Sequence, residues 1–136
     1  MDDEIYIDEE MEPNPDLNRI TNAVIGAAID VHKALGPGYV ESVYQQALAI
    51  AFTKRSIRFK AQHPFSVAYE GVEVGEGRLD FLIEDTVVVE LKAMESFHPV
   101  HTAQVISYMK ATHCHLALLI NFNVRKLTDG IKRIAL

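Results

Sequence analysis

The sequence predicts a mixed α/β domain in which helices cover a central sheet. Apolar residues recur at steps of three and four through residues 17–54, the spacing of a helix face. From Ile57 the step changes to two, as in half-buried strands. After another helical stretch at 99–112 comes Leu116-Ala117-Leu118-Leu119-Ile120, an unbroken apolar run suited to a strand covered on both faces.

The elements follow in order. Leu17, Ile20, Val24, Ala28, Val31 and Leu35 mark a first helix over 17–35, with Asp16 placed to cap it and Gly36-Pro37-Gly38 to end it. A second helix runs from Glu41 to Lys54, with Val40, Val43, Tyr44, Ala47, Leu48 and Ala51 as its apolar face. Ile57, Phe59 and Ala61, then Phe65, Val67 and Tyr69, alternate as strand residues. Glu70-Gly71 reads as a turn, Val72-Glu73-Val74 as a short return strand, and Gly75-Glu76-Gly77 as a break before a hairpin over 78–92. No helix follows those glycines, so they do not form a nucleotide-binding loop. Pro99 to Thr112 is helical, with Val100, Ala103, Ile106 (or Val105) and Met109 apolar. A last short element would send Leu127, Ile131 and Ile134 into the core, with Lys132 and Arg133 toward solvent.

At 136 residues the chain is expected to be one domain over 17–136, preceded by an acidic leader over 1–16 that composition makes flexible. A sharper reading of the leader is that it mimics nucleic acid in the binding groove. No apolar run approaches the roughly 20 residues of a membrane span. One cysteine, Cys114, excludes an internal disulfide and suits a reducing compartment, so the expected address is the cytoplasm. The net charge of −6 is uneven. Eight acids fall in residues 1–16, leaving 11 acids against 13 Lys and Arg elsewhere, a net of +2. The body therefore tolerates a polyanion without being strongly basic.

The chemistry concentrates in the hairpin. With a three-residue turn over Glu84 to Thr86, Ile83 would face Val87, and Asp80 would lie across from Glu90. Lys92 would share the face of Glu90. Two carboxylates and an ammonium in apolar surroundings are costly unless paired or bound to a cation. Asp80, Glu90 and the Leu91 backbone carbonyl are hard oxygen donors, suited to Mg2+ or Mn2+ rather than zinc. Lys92 beside them could orient water and offset charge on a phosphate. The plainer alternative is a cross-strand ion pair. His98, His101 and the run His113-Cys114-His115 form a rival, zinc-like grouping, although a strand would split His113 and His115 from Cys114. His101 could instead contact a substrate phosphate.

Asp80, Glu90-x-Lys92, and then Gln104 and Tyr108 on the next helix resemble the PD-(D/E)xK nucleases, especially their exonuclease-like branch with a Q-x-x-x-Y helix. Gly38-Tyr39-Val40-Glu41-Ser42-Val43-Tyr44 spells G-x-x-E-x-x-Y and is similar to the namesake motif of the GxxExxY family within that superfamily. The likeness extends over Gly36-Pro37-Gly38 and Leu119-Ile120-Asn121-Phe122-Asn123, and covers roughly 17–134. Leu79 stands where the literal motif has proline.

The resemblance implies a restriction-endonuclease-like core and Mg2+-dependent hydrolysis of nucleic-acid phosphodiesters; as the partner, DNA is expected ahead of RNA. It implies that Glu41 completes a metal shell with Asp80 and Glu90, and that Gln104 and Tyr108 position substrate. From the residues alone, Glu41 is equally an acid favoured by a helix start, and Tyr44 is more often a core position than a site residue. The small size points to a partner, either a second copy or a separate DNA-binding protein. The alternative is a binding module that keeps the fold without hydrolysis.

Overall fold

The computed structural model describes residues 15–136, so the acidic leader lies outside the described residues apart from Pro15 and Asp16. Helix α1 spans Pro15–Leu35. It begins earlier than expected because proline fits the first helical position, where its missing N–H costs nothing. Asp16 therefore sits in the first turn, favoured by the helix dipole, and is not the cap. At the other end the Gly36 N–H, in a residue with φ of 71°, donates to His32 O over 2.8 Å.

Helix α2, Glu41–Lys54, buries Tyr44, Leu48 and Phe52. Val40 and Val43, expected on its apolar face, are exposed. Two aromatic contacts set the rotation of the helix: Tyr44 stacks on Phe122 at 4.6 Å, and Phe52 meets Phe81 edge-on at 5.1 Å.

Five strands form one mixed sheet in chain order: β1 (Phe59–Tyr69), β2 (Val72–Ile83), β3 (Val87–Lys92), β4 (Leu116–Asn121) and β5 (Ile131–Ala135). Only the β3–β4 pair is parallel, with Lys92 beside Asn121. Helix α3, Pro99–Thr112, makes the crossover that a parallel pair requires. Helices α1 and α2 cover one face of the sheet through Phe81, Val87, Val89, Leu91, Leu118 and Ile120. Helix α3 covers the other through Leu79, Leu82, Val88, Ala117 and Leu119. It buries Val105, Ile106 and Met109, while Val100 in its first turn and Ala103 are exposed rather than apolar contacts.

Strand β2 is continuous, where a return strand and a glycine break were expected. Gly75 and Gly77 pair with Val67 and Phe65. A Cβ on Gly77 would stand 2.6 Å from the end of the Phe65 ring, so glycine here admits an aromatic cover and does not end the strand. Beyond the Phe81–Val89 pair, β1 and β2 continue as a two-stranded arm carrying exposed Val67, Tyr69, Val72 and Val74. Arg133 is buried rather than solvent-facing: it pairs with Leu118 and donates to the Thr21 hydroxyl of α1.

Candidate functional site

The hairpin turn has positive φ at Glu84 and Asp85, and the Thr86 N–H donates to Ile83 O over 2.9 Å. This is the backbone of a primed turn with Thr86 as one added residue, so Ile83 faces Val87. The ladder ends at Phe81–Val89, next to an irregularity where β1 and β2 run past Asp80. Gln62, the residue of β1 at this irregularity, takes a left-handed φ of 51°. Phe59 and Phe81 lie in the α1–α2 core, whereas Phe65 and Leu79 lie in the α3 core, so both strands change face here. A break of this kind re-aims side chains at the end of a ladder.

Released from regular pairing, Asp80 and Glu90 interlock. The Asp80 N–H donates to Glu90 Oε2 over 2.6 Å, and the Leu91 N–H donates to Asp80 Oδ2 over 2.8 Å. Gln45 of α2 donates to the Asp80 carbonyl over 3.2 Å, and Gln62 Nε2 lies 3.5 Å from Asp80 Oδ1. Along a strand the N–H and C=O of one residue point the same way, so the Leu91 carbonyl is directed to the Asp80 side as well. Lys92 O accepts the Phe122 N–H at 3.0 Å, which fixes the end of β3 against the segment after β4.

Burial, reinforced by the Asp80 charge, pushes the Glu90 carboxyl up to about 8. The Asp80 N–H and Lys92 oppose that rise, and Glu41 adds to it. Asp80 is raised by burial, against the Leu91 N–H, Lys92 and Gln62. Glu41, at the exposed start of α2, is raised by partial burial of its carboxyl and by Asp80, with Lys92 opposing. The Tyr108 hydroxyl is raised by burial and then by Glu90 and Asp80. His101 is lowered by desolvation, Lys92 and His98. Six groups thus share one electrostatic environment at the C-terminal end of β3.

Not every candidate belongs to it in the same way. Tyr108, whose hydroxyl feels the charge of both acids, packs on Phe65 at 4.9 Å, while Gln104 is exposed one helical turn earlier. His101 Nδ1 accepts the His98 N–H at 3.0 Å and so closes the start of α3. Tyr44, a site candidate by sequence, is fully buried. Its hydroxyl donates to Gly36 O at 2.6 Å and accepts the Tyr39 N–H at 3.2 Å, so it holds the loop before Glu41 and does not face the acids. The zinc-like grouping is dispersed: His98 and His113 cap opposite ends of α3, about 20 Å apart by helix rise, and Cys114 is buried in the α3 core.

Among the described residues no three His, Cys, Asp or Glu side chains already converge as a metal cage. A Mg2+ site does not need one, since this ion commonly takes one or two carboxylates, keeps several waters and adds substrate phosphate. Buried carboxylates held above their ordinary range, with a backbone carbonyl beside them, suit a hard divalent cation.

Sequence reasoning missed Gln45 and Gln62, and gave Asn121 no role beyond its place in the Leu119–Asn123 likeness. Gln45 follows Glu41 by one helical turn, a spacing that could have flagged it. Gln62 gives no such signal, because Phe59, Ala61, Phe65 and Val67 keep one parity through the kink. Buried Asn121 accepts the Met94 and Asn123 N–H groups at 3.2 and 3.0 Å and donates to Met94 O at 2.8 Å. It therefore ties together the two loops that leave the sheet at the site end.

The family profile of the PD-(D/E)XK nuclease superfamily matches residues 18–134. The chain belongs to the PD-(D/E)XK nuclease superfamily. The five-stranded mixed sheet with three flanking helices is the restriction-endonuclease-like α/β fold of these proteins. Members of the superfamily are generally nucleases, and divalent metals such as Mg2+ are typical of them. No curated protein matches the chain. Among the described residues no helix is long and apolar enough to cross a membrane.

Proposed function

We propose that this PD-(D/E)XK protein is a nuclease that hydrolyses nucleic-acid phosphodiesters with Mg2+ or Mn2+, and that it belongs to the GxxExxY family through its Gly38–Tyr44 motif. The observation that carries the reading is the interlocked Asp80–Glu90 pair at the end of a strand that also presents Lys92. An ordinary cross-strand ion pair would join Lys92 to one of the acids, and Lys92 is in none of the described ion pairs. Here two carboxyls are raised, and Lys92 opposes the rise without cancelling it.

Asp80, Glu90 and the Leu91 carbonyl would hold the cation, with Glu41 completing the shell from α2. A bound divalent ion supplies an acidified water and positive charge at the phosphate. Lys92 orients the attacking water and offsets charge developing on the phosphate oxygens. Tyr108, with its hydroxyl kept protonated, donates to the substrate backbone, and Gln104 and His101 extend that contact along α3.

DNA is the favoured polymer and the cytoplasm the favoured compartment. The apolar side chains exposed on the β1–β2 arm support a second copy or a separate DNA-binding protein as partner. Titration calorimetry with Mn2+, paired with cleavage of plasmid and oligonucleotide substrates, tests the reading. Binding and cleavage should both disappear in the Asp80→Ala, Glu90→Ala double variant. Cleavage alone should disappear in Lys92→Ala. Cleavage that survives both changes would overturn the assignment, and nucleic-acid binding without any cleavage would favour a non-hydrolytic module.

A further inference from the structure

A cavity of about 300 Å³ lies between the C-terminal half of α1 and the segment after β4. Its lining includes Lys33, Arg125 and Lys126, all exposed, together with His32. The described ion pairs are Arg55–Asp30, Arg58–Glu84 and Lys60–Asp85, so these three cations take no part in them. The nearest acids in sequence do not neutralise the group: Asp30 is held by Arg55, and Asp129 meets Lys126 only through backbone, its N–H donating to Lys126 O. Among the described residues these three cations have no acid in an ion pair with them, and three such charges around a concavity select an anion.

The topology ties this cavity to the acid site. Strands β3 and β4 are parallel, so the segment carrying Arg125 and Lys126 leaves the sheet at the end where Lys92 stands. Phe122 bridges the two places: its N–H donates to Lys92 O, Tyr44 stacks on its ring, and the His32 ring lies 6.4 Å away. The cavity wall is held by buried His32, whose Nε2 donates to Val124 O over 2.7 Å. The backbone that carries Arg125 and Lys126 is therefore tied, through Phe122, to the end of β3 at the Lys92 carbonyl.

We propose that the Lys33–Arg125–Lys126 cavity is a second phosphate subsite, which grips the nucleic-acid strand away from the bond held at Asp80, Glu90 and Lys92. The inference rests on the nuclease reading and adds the direction of the strand: it crosses the end of the sheet from α3, past Phe122, to the end of α1. Such a subsite gives sequence-independent, salt-sensitive affinity.

The test is fluorescence anisotropy with a labelled oligodeoxythymidylate in EDTA, over a range of KCl concentrations. Lys33→Ala, Arg125→Ala and Lys126→Ala combined should weaken binding at least about tenfold at low salt. The combination should also flatten the log–log salt slope by about 2, at ~0.7 per phosphate contact on a single strand. Removing the same number of cations at the opposite end of the sheet, with Lys54→Ala, Arg58→Ala and Lys60→Ala, should change binding less than about twofold. The charge-keeping set Lys33→Arg, Arg125→Lys and Lys126→Arg should bind like the wild type. Hydrolysis of bis(p-nitrophenyl) phosphate, which has no strand beyond the scissile bond, should be unchanged in the triple alanine variant. Equal losses in both alanine sets, or no binding by the wild type, would overturn the subsite. Failure of the acid site would appear separately, as absent hydrolysis of the small diester.

Discussion

Asp80 and Glu90 are bound to each other through backbone as well as placed side by side: the Asp80 N–H donates to Glu90 Oε2 over 2.6 Å, inside the gap where the β2–β3 ladder has ended. Each carboxylate thereby replaces a strand partner, and a polar site is built without orphaning the backbone around it. The arrangement leaves Glu90 buried with too little positive charge, which has a measurable consequence.

The Glu90 carboxyl rises from an ordinary 4.5 to about 8, so the metal-free folded chain binds this proton more tightly than the unfolded chain does. Stability from this group is therefore fully present below about pH 4.5 and falls as pH rises toward 8. Urea unfolding in EDTA should lose stability over that interval, by a few kcal/mol in order of magnitude. Glu90→Gln should flatten the profile and make the metal-free protein more stable at pH 8. The same variant should lose at least about 100-fold in Mn2+-supported cleavage, as expected when charge stabilisation worth several kcal/mol is withdrawn. Mn2+ binding should release protons near neutral pH, visible as a buffer-dependent enthalpy in calorimetry.

Tyr44 supports the site from a distance. Tyr44→Phe keeps the stack on Phe122 but removes the hydroxyl shared by Gly36 O and the Tyr39 N–H. A loss of about 1–2 kcal/mol in stability is expected, with only a severalfold loss of cleavage through a less well placed Glu41. A drop approaching that of Lys92→Ala would instead put the hydroxyl at the reacting atoms.

Gln45 holds Asp80 through its carbonyl. Gln45→Ala should weaken Mn2+ affinity several-fold while costing only about 1 kcal/mol of stability. Gln45→Glu keeps the shape but loses the donor when ionised. It should behave like alanine at high pH and recover as pH falls, a pattern that lost packing alone would not give.

Local signals made much of this fold legible. Gly36-Pro37-Gly38 and Pro99 punctuate the helices, and the bounds Glu41–Lys54 and Pro99–Thr112 are those expected. The odd turn that sets Ile83 against Val87 is one of two that the sequence leaves open, since a two-residue turn would put Asp80 across from Val89. What could not be read depends on distant partners. Arg133 looks like a surface cation until Thr21, over a hundred positions earlier, receives it. Tyr44 lies on the apolar face that the spacing predicts, but its ring partner, Phe122, is far along the chain. The kink at Gln62 leaves the parity of β1 intact, so no periodicity could announce it.

Gly77 shows how a residue read as a break can be a packing requirement. The Phe65 ring lies over it and reaches on to Tyr108 of α3, so the glycine lets the β1–β2 arm seat the tyrosine beside the acids. Gly77→Ala would place a methyl 2.6 Å from the Phe65 ring and force the ring off its contact. A loss of about 1–3 kcal/mol in urea unfolding is expected. Phe65→Leu in the same chain should recover part of it, so the double-mutant cycle should be strongly non-additive. Additive losses would mean that the glycine serves strand geometry alone and that the aromatic cover plays no part in placing Tyr108.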